Sequence, residues 1–305
     1  MMRFRLTLTP CLYALIFTIG FVSCGKSLEE ERTYSENISI ESYIKGKSWV
    51  YSKVGEIYHI IKKPTFGYQV NKGDTVTFWY KGYTLDGKVF DTNIKAEAKK
   101  AKLDTVIHFF EPLIVIVGKG SLIDGLDDGL LLLCEHEVST IIFPSSLGFK
   151  GDIMGPILQW SPLAYDIELI KVNGVDIQKE KSYIESLNLV GNGFTQDSTG
   201  LFYKFITLGS NLTPTINDTI YGWYKGTLPD GTVIRDLGNG SQKIILSNKD
   251  VPEGVRYGFK LMKIGSLADL VIPSYLGFGN KGLGIVGPYQ TTFYQIRLDS
   301  VKLNN

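Results

Sequence analysis

Little in this 305-residue sequence could break or form a covalent bond. His59, His108 and His136 are scattered without ligand spacing, so no metal site is expected. Cys134 closes the apolar run Leu130-Leu131-Leu132-Leu133 and reads as packing rather than as a nucleophile. Gly118-Lys119-Gly120 lacks the Lys-Ser/Thr that completes a phosphate loop. Two features remain. One is a cysteine placed for acylation, Cys24. The other is an aromatic and acidic group, Tyr80 with the Phe90-Asp91 pair. By themselves these three residues could equally be core aromatics beside an ordinary turn carboxylate.

Cys24 stands at the end of what reads as a targeting segment. Arg3 and Arg5 form a basic head, an apolar run from Leu12 to Val22 is too short to span a bilayer, and Ser23-Cys24-Gly25 follows. That arrangement resembles a lipobox, with Phe21 where leucine is usual. Residues 1–24 are therefore expected to be a lipoprotein signal peptide, the alternatives being an uncleaved anchor or an ordinary export signal with a chance cysteine. Acyl chains on Cys24 would hold the protein at a membrane, each buried CH₂ contributing ~0.8 kcal/mol. The polar stretch from Gly25 to Asn37, including Glu29-Glu30-Glu31, reads as a flexible tether within a tether and N-terminal helix spanning 25–50. With Cys24 acylated and Cys134 alone, no intramolecular disulfide is available.

The remaining chain is long enough for two ordinary domains. Its 17 tyrosines, 16 phenylalanines and 33 glycines favour a β-rich architecture. A net charge of +1 gives no basic field for nucleic acid.

The sequence also repeats. Phe78-Trp79-Tyr80-Lys81-Gly82 returns as Gly222-Trp223-Tyr224-Lys225-Gly226, and Asp86-Gly87 as Asp230-Gly231. Phe143-Pro144-Ser145-Ser146-Leu147-Gly148-Phe149 returns as Ile272-Pro273-Ser274-Tyr275-Leu276-Gly277-Phe278. The front markers are offset by 223 − 79 = 144 and the rear ones by 273 − 144 = 129, so the first copy carries about 15 extra residues. The surplus fits the charged stretch Ile94-Lys95-Ala96-Glu97-Ala98-Lys99-Lys100-Ala101, read as a short inserted helix near 93–108. Its lysines are an ordinary solvated face or part of a flap near a pocket mouth.

Each copy has the same coarse order. A helical lead-in comes first, Ser42-Tyr43-Ile44 in one and Ser182-Tyr183-Ile184 in the other. Alternating strands follow, joined by Asp-Gly hairpin turns that supply positive φ values. One internal helix is expected in each copy, over 121–132 and over 251–262, and an alternating strand closes each. Strands with one helix against them make an α+β domain. The linker is expected at 172–178, which gives a first domain over 51–173 and a second over 174–305.

Both copies resemble FKBP-type peptidyl-prolyl isomerase domains. The residues that carry the likeness are Trp79-Tyr80-Lys81-Gly82, Asp86-Gly87-Lys88-Val89-Phe90-Asp91, the tract from Val117 to Gly129, Pro-x-x-Leu-Gly-Phe, and Tyr165-Asp166-Ile167-Glu168-Leu169. The resemblance implies an antiparallel sheet wrapped on one short helix in each domain. It also implies a pocket in the first copy lined by Tyr80, Phe90, Asp91, Leu113, Leu122, Ile123, Leu126, Phe149, Ile157 and Tyr165. Asp91 would order Tyr80 and the bound amide. The backbone at Leu122 and Ile123 would hold the peptide.

The chemistry implied needs no nucleophile, metal or cofactor. An X-Pro amide rotates slowly because its C–N bond is partly double, with a barrier of ~18–20 kcal/mol. An apolar pocket takes that amide out of water and favours its twisted form. Leu126 replaces the family's usual aromatic floor, and Phe149 lacks the hydroxyl often found at its place. One neutral hydrogen bond lost costs ~1 kcal/mol, which reduces activity without abolishing it.

In the second copy the corresponding pocket is Tyr224, Val251, Pro252, Val255, Phe278, Val286 and Tyr294. There Ile234-Arg235 replaces the Phe-Asp pair, Asp236 comes one place late, and Pro252 has no N–H to donate. The second copy is thus expected to be a poor or inactive isomerase. Two functions stay open. One is an envelope isomerase acting on proline-containing polypeptides, anchored by lipid to a bacterial membrane, with the outer membrane the expected one. The other is a non-catalytic binding or chaperone protein on the same fold.

Overall fold

The computed structural model describes residues 27–105, 110–238 and 240–303. Cys24, the whole of 1–24, and His108 in the insert lie outside the described residues. The first half begins with α1 (Leu28–Gly46), then β1 (Ser52–Val54), β2 (Ile57–Lys63), β3 (Thr75–Thr84) and β4 (Val89–Thr92). A short α2 (Lys95–Lys100), β5 (Leu113–Ile116), α3 (Asp124–Leu130), β6 (Val138–Phe143) and β7 (Leu163–Asn173) complete it. The second half repeats that order without α2: α4 (Val175–Ser186), β8 (Thr195–Gln196), β9 (Phe202–Thr207), β10 (Thr219–Thr227) and β11 (Val233–Asp236) come first. They are followed by β12 (Gln242–Ile245), α5 (Glu253–Leu261), β13 (Leu267–Ile272) and β14 (Thr292–Lys302).

Each half is one antiparallel sheet. The strand order is β1-β2-β6-β7-β3-β4, with β5 beside β3; the second sheet runs β11-β10-β14-β13-β9-β8, with β12 beside β10. This is the expected α+β arrangement, one short helix on each concave face. Alternation makes it work: Val76 and Phe78 on β3, and Tyr165, Ile167 and Leu169 on β7, point to the core shared with α3. The helices lie close because glycines face the sheet. A Cβ at Gly254 would meet Ile272 at 2.6 Å and one at Gly258 would meet Leu270 at 2.5 Å. Gly125 and Gly129 stand in the same relation to Phe143 and Ile141.

Four expectations are corrected. First, most of the polar stretch read as a tether is helical, because Ser27 and Glu30 close a reciprocal capping box that starts α1 at Leu28. Second, the linker is far shorter than 172–178: β7 ends at Asn173 and α4 begins at Val175, with Gly174 between. Third, the Asp-Gly turns put only the glycine at positive φ, +88° at Gly87 and +87° at Gly231, and a register shift follows in each hairpin. Fourth, the lead-in helices match in a different register from the shared Ser-Tyr-Ile. Buried Glu36 accepts from Ser145 N (2.6 Å) and Oγ (2.8 Å), while buried Glu180 accepts from Ser274 N (2.8 Å) and Oγ (2.5 Å). Since 180 − 36 = 144, the front offset of the repeat extends into the helices, and Ile184 corresponds to Ile40 rather than Ile44.

The two halves touch directly. Ile177 of α4 is buried in the first core, Tyr68 meets Tyr275 edge-on at 4.9 Å, and Phe66 meets Tyr257 at 4.9 Å. Asn280 donates to Asn71 (2.7 Å), which is also hydrogen-bonded to Tyr289. Lys181 reaches buried Glu135 at 3.3 Å. Among the described residues, no helix is long and apolar enough to cross a membrane.

Candidate functional site

The concave face of the first sheet gathers the expected pocket residues. Tyr80 comes from β3, Phe90 and Asp91 from β4, Leu113 from β5, and Tyr165 from β7. Leu122 and Ile123 precede α3, Leu126 lies on its first turn, and Phe149 follows the 3₁₀ turn Ser145–Leu147. Ile157 sits at a tight hairpin bridged to Met154. All nine apolar and aromatic members join one apolar cluster, in which Leu126 (4 %), Ile157 (2 %) and Tyr165 (4 %) are the most enclosed.

Three aromatic side chains form adjoining walls. Phe90 meets Tyr165 edge-on at 5.6 Å and Phe149 at 6.4 Å, and Phe143 stacks behind Tyr165 at 5.9 Å. Gly82 leaves the space that Phe90 and Tyr165 occupy, since a Cβ there would lie 2.7 Å from the Phe90 ring. In this wall Tyr80 Oη donates to Asp91 Oδ2 at 2.8 Å. Burial raises the Tyr80 hydroxyl well above its ordinary pKa, and the Asp91 carboxylate raises it further. Tyr165 is raised by burial and, secondarily, by Asp91. Both phenols therefore stay neutral donors across the biological pH range.

Two further residues hold the pocket rim in place: Asn93, which no motif singles out, and Asp127, a member of the Val117–Gly129 tract with no role assigned by it. Buried Asn93 accepts from Tyr80 N (2.8 Å) and donates to Phe78 O (3.1 Å) and Glu111 O (3.0 Å), which ties the pocket rim together. Asp127 accepts from Gly118 N at 2.8 Å and so fixes the loop that carries Leu122 and Ile123. Neither has a spacing signal: Asn93 is a lone polar residue bonded to backbone 13 to 18 residues away, and Asp127 is one of three nearby aspartates, bonded to backbone nine residues away. Cys134 is half-buried rather than fully buried, and burial pushes its thiol up to about 11.

The second sheet assembles the corresponding set with reversed polarity. Register fixes the equivalence: Gly82 faces Asp91, and Gly226 faces Arg235. Asp236 falls one place on, opposite Lys225, and alternation turns it to the other face. There it accepts from Trp223 Nε1 at 3.3 Å and pairs with Lys225 at 3.5 Å. Tyr224 and Tyr294 remain, 6.1 Å apart, above buried Val251 and Val255. Val286 is buried and bridged near Leu283, as Ile157 is near Met154. Burial raises Tyr224, but Arg235, hydrogen-bonded to it, pulls the other way. A cavity of about 240 Å³ opens here, lined in part by Tyr224, Arg235, Pro252, Phe278 and Tyr294.

The chain is thus a duplicated antiparallel sheet, each copy gathering aromatic and apolar side chains against one short helix. The profile of the FKBP-type peptidyl-prolyl cis-trans isomerase family matches residues 67–170 and 210–299. The chain belongs to that family. It is 27% identical over 240 residues to peptidyl-prolyl cis-trans isomerase FKBP10 of Mus musculus, covering 76% of this chain and 35% of that one. It is 37% identical over 106 residues to FK506-binding protein 2 of Aspergillus oryzae, covering 34% and 69%. It is 27% identical over 180 residues to outer membrane protein MIP of Legionella longbeachae, covering 59% and 72%. The chain spans about a third of the length of the mouse relative.

Proposed function

We propose that this protein is a peptidyl-prolyl cis-trans isomerase whose activity resides in the first domain, residues 51–173. The second domain, 174–305, is a binding module of weak or no activity. The observation that carries this reading is the Tyr80–Asp91 hydrogen bond of 2.8 Å set into a wall of Phe90, Phe149 and Tyr165.

The mechanism needs only the chain's own side chains. The apolar walls accept a prolyl ring and strip water from the preceding amide. Water stabilises the planar, charge-separated amide more than the twisted one, so its removal lowers the rotation barrier. Asp91 holds Tyr80 at the pocket edge, and the backbone near Ile123 orients the peptide so that its ends turn about the one bond. In the second domain Arg235 stands where the carboxylate should be, and Pro252 has no N–H.

The proposed setting is the cell envelope, with residues 1–24 as signal peptide and Cys24 acylated at a bacterial membrane. The similarity to an outer membrane protein over 59% of this chain supports that setting. Its substrates would be proline-containing exported polypeptides. The test is exchange spectroscopy on a short neutral X-Pro peptide. Acceleration by micromolar protein is expected. None at high protein concentration would leave only the binding reading.

A further inference from the structure

The convex side of the first sheet, opposite the prolyl site, carries a cavity of about 760 Å³. Its floor is Tyr83 and Asp166, and its walls are Tyr43 of α1 with the following Trp49 on one side and the α2 segment on the other. Four lysines line it, Lys47, Lys81, Lys88 and Lys100, against the carboxylates Glu97 and Asp166. Those carboxylates are already engaged: Asp166 accepts from Lys81 (2.8 Å), Tyr83 (3.0 Å) and Thr140 (2.8 Å), and Glu97 lies 3.6 Å from Lys81. Lys88 pairs with Asp86 at the rim, at 2.7 Å. Among the described residues, no carboxylate is ion-paired to Lys47 or Lys100. Lys62, outside the cavity lining, stands 2.9 Å from the centre of the ring of Trp49, which does line it. Burial lowers its pKa, and Lys47 lowers it further, against Asp166. The cavity thus holds crowded positive charge over aromatic surface in a protein whose net charge is +1.

Its place in the fold gives this charge a use. Val89 and Pro156 line the cavity, while their chain neighbours Phe90 and Ile157 line the prolyl pocket. The two sites share one rim, with β4 on one side and the 154–157 hairpin on the other. Stacked sheets lie ~10 Å apart, so one sheet layer is about that thick, and an extended peptide passing round its edge covers it in about three or four residues at ~3.3 Å each. The α2 wall has no counterpart in the second domain, where β11 is followed by β12 without a helix. The cavity therefore belongs to the domain that keeps Asp91.

We propose that this cavity is an extended-substrate subsite that receives an acidic residue lying three or four positions from the isomerised proline. It rests on the isomerase reading above and names the substrate class: unfolded segments in which a carboxylate flanks the X-Pro bond at that spacing. The aromatic floor seats the carboxylate's stem, and Lys47 and Lys100 supply the charge.

The test uses the full chain and two ten-residue peptides with one central X-Pro bond. One carries Asp and Glu three and four positions to either side, and the other carries Asn and Gln there. Exchange rates and fluorescence anisotropy of labelled peptides are both measured, at low and high salt. At low salt the acidic peptide is expected to be favoured roughly tenfold in kcat/KM and in affinity, from about threefold per lysine. High salt should erase the preference. The double variant Lys47→Glu, Lys100→Glu should lose it while isomerising the neutral peptide at the parent rate. Equal rates and equal binding for the two peptides in the parent would overturn the subsite. So would a preference that the double variant keeps. Acid-selective, lysine-dependent binding without isomerisation of either peptide would uphold the subsite and overturn the isomerase reading instead.

Discussion

In the first domain a tyrosine on the sheet donates to a carboxylate, and in the second the equivalent tyrosine is bonded to a guanidinium. Both sheets have the same strand order, the same glycines under the helix and the same buried glutamate from a preceding helix. The parts that differ lie on the rims: Phe90-Asp91 against Ile234-Arg235, and the Leu122-Ile123 loop against Val251-Pro252. Apart from α2 the scaffold is the same in both copies, while the tyrosine–carboxylate pair occurs only in the first. Packing tolerates few changes because every methyl group is felt. A half-exposed rim is free to exchange acid for base. Fold and chemistry are therefore separable here, and the comparison can be broken at each level.

The largest effects should come from the shared scaffold. Gly125→Val and Gly254→Val each force a side chain into a packed ring or isoleucine, and overpacking of this kind costs ~1–3 kcal/mol or more. Thermal unfolding should fall by several degrees in each variant, with the loss centred on the domain that carries the change. If one glycine tolerates valine freely, the two helices do not pack alike. Next come the buried carboxylates. Glu36→Ala and Glu180→Ala leave a serine N–H and hydroxyl without their acceptor, which costs ~1–3 kcal/mol. Glu180→Ala should loosen both halves, since Ile177 of the same helix sits in the first core. Hydrogen exchange that rises only in the second domain would contradict that coupling.

Smaller effects sharpen the comparison. Arg235→Asp restores the copy-one pairing partner but not the missing N–H of Pro252, so it should add no measurable isomerase activity to an Asp91→Ala background. A gain of activity would mean that Asp alone separates the copies. Smallest is Cys134, whose thiol, pushed up to about 11, should label slowly at pH 8. Folding keeps this thiol protonated, so the associated stability is complete at neutral pH. It is lost only as pH climbs above the unfolded thiol value of ~8.5 toward 11. Rapid labelling at pH 8 would contradict the packing seen here.

Much of this was legible in the sequence. The repeat and the antiparallel α+β halves follow from ordered motifs found twice, and the inserted helix from the surplus length of the first copy. The helix glycines were visible as motif members, but their reason, contact with Phe143 and Ile272, needs the sheet beneath them. Glu36 was hidden inside a polar run because a buried capping glutamate looks like a solvated one until Ser145 is brought to it. Asn93 and Asp127 were silent for the same reason. The convex cavity is the most distant from sequence reasoning: its lysines come from four separate segments, and only the pairing of β3 with β4 and β7 unites them.

The most direct measurement is catalysis of cis–trans exchange in a neutral X-Pro peptide by three proteins: the parent, Asp91→Ala and Arg235→Ala. Removing Asp91 frees the Tyr80 hydroxyl from a charged partner worth ~1.5–3 kcal/mol, so kcat/KM should fall about tenfold or more. Arg235→Ala should leave the parent rate unchanged. An unchanged rate in Asp91→Ala, or a loss confined to Arg235→Ala, would contradict the assignment of activity to the first domain.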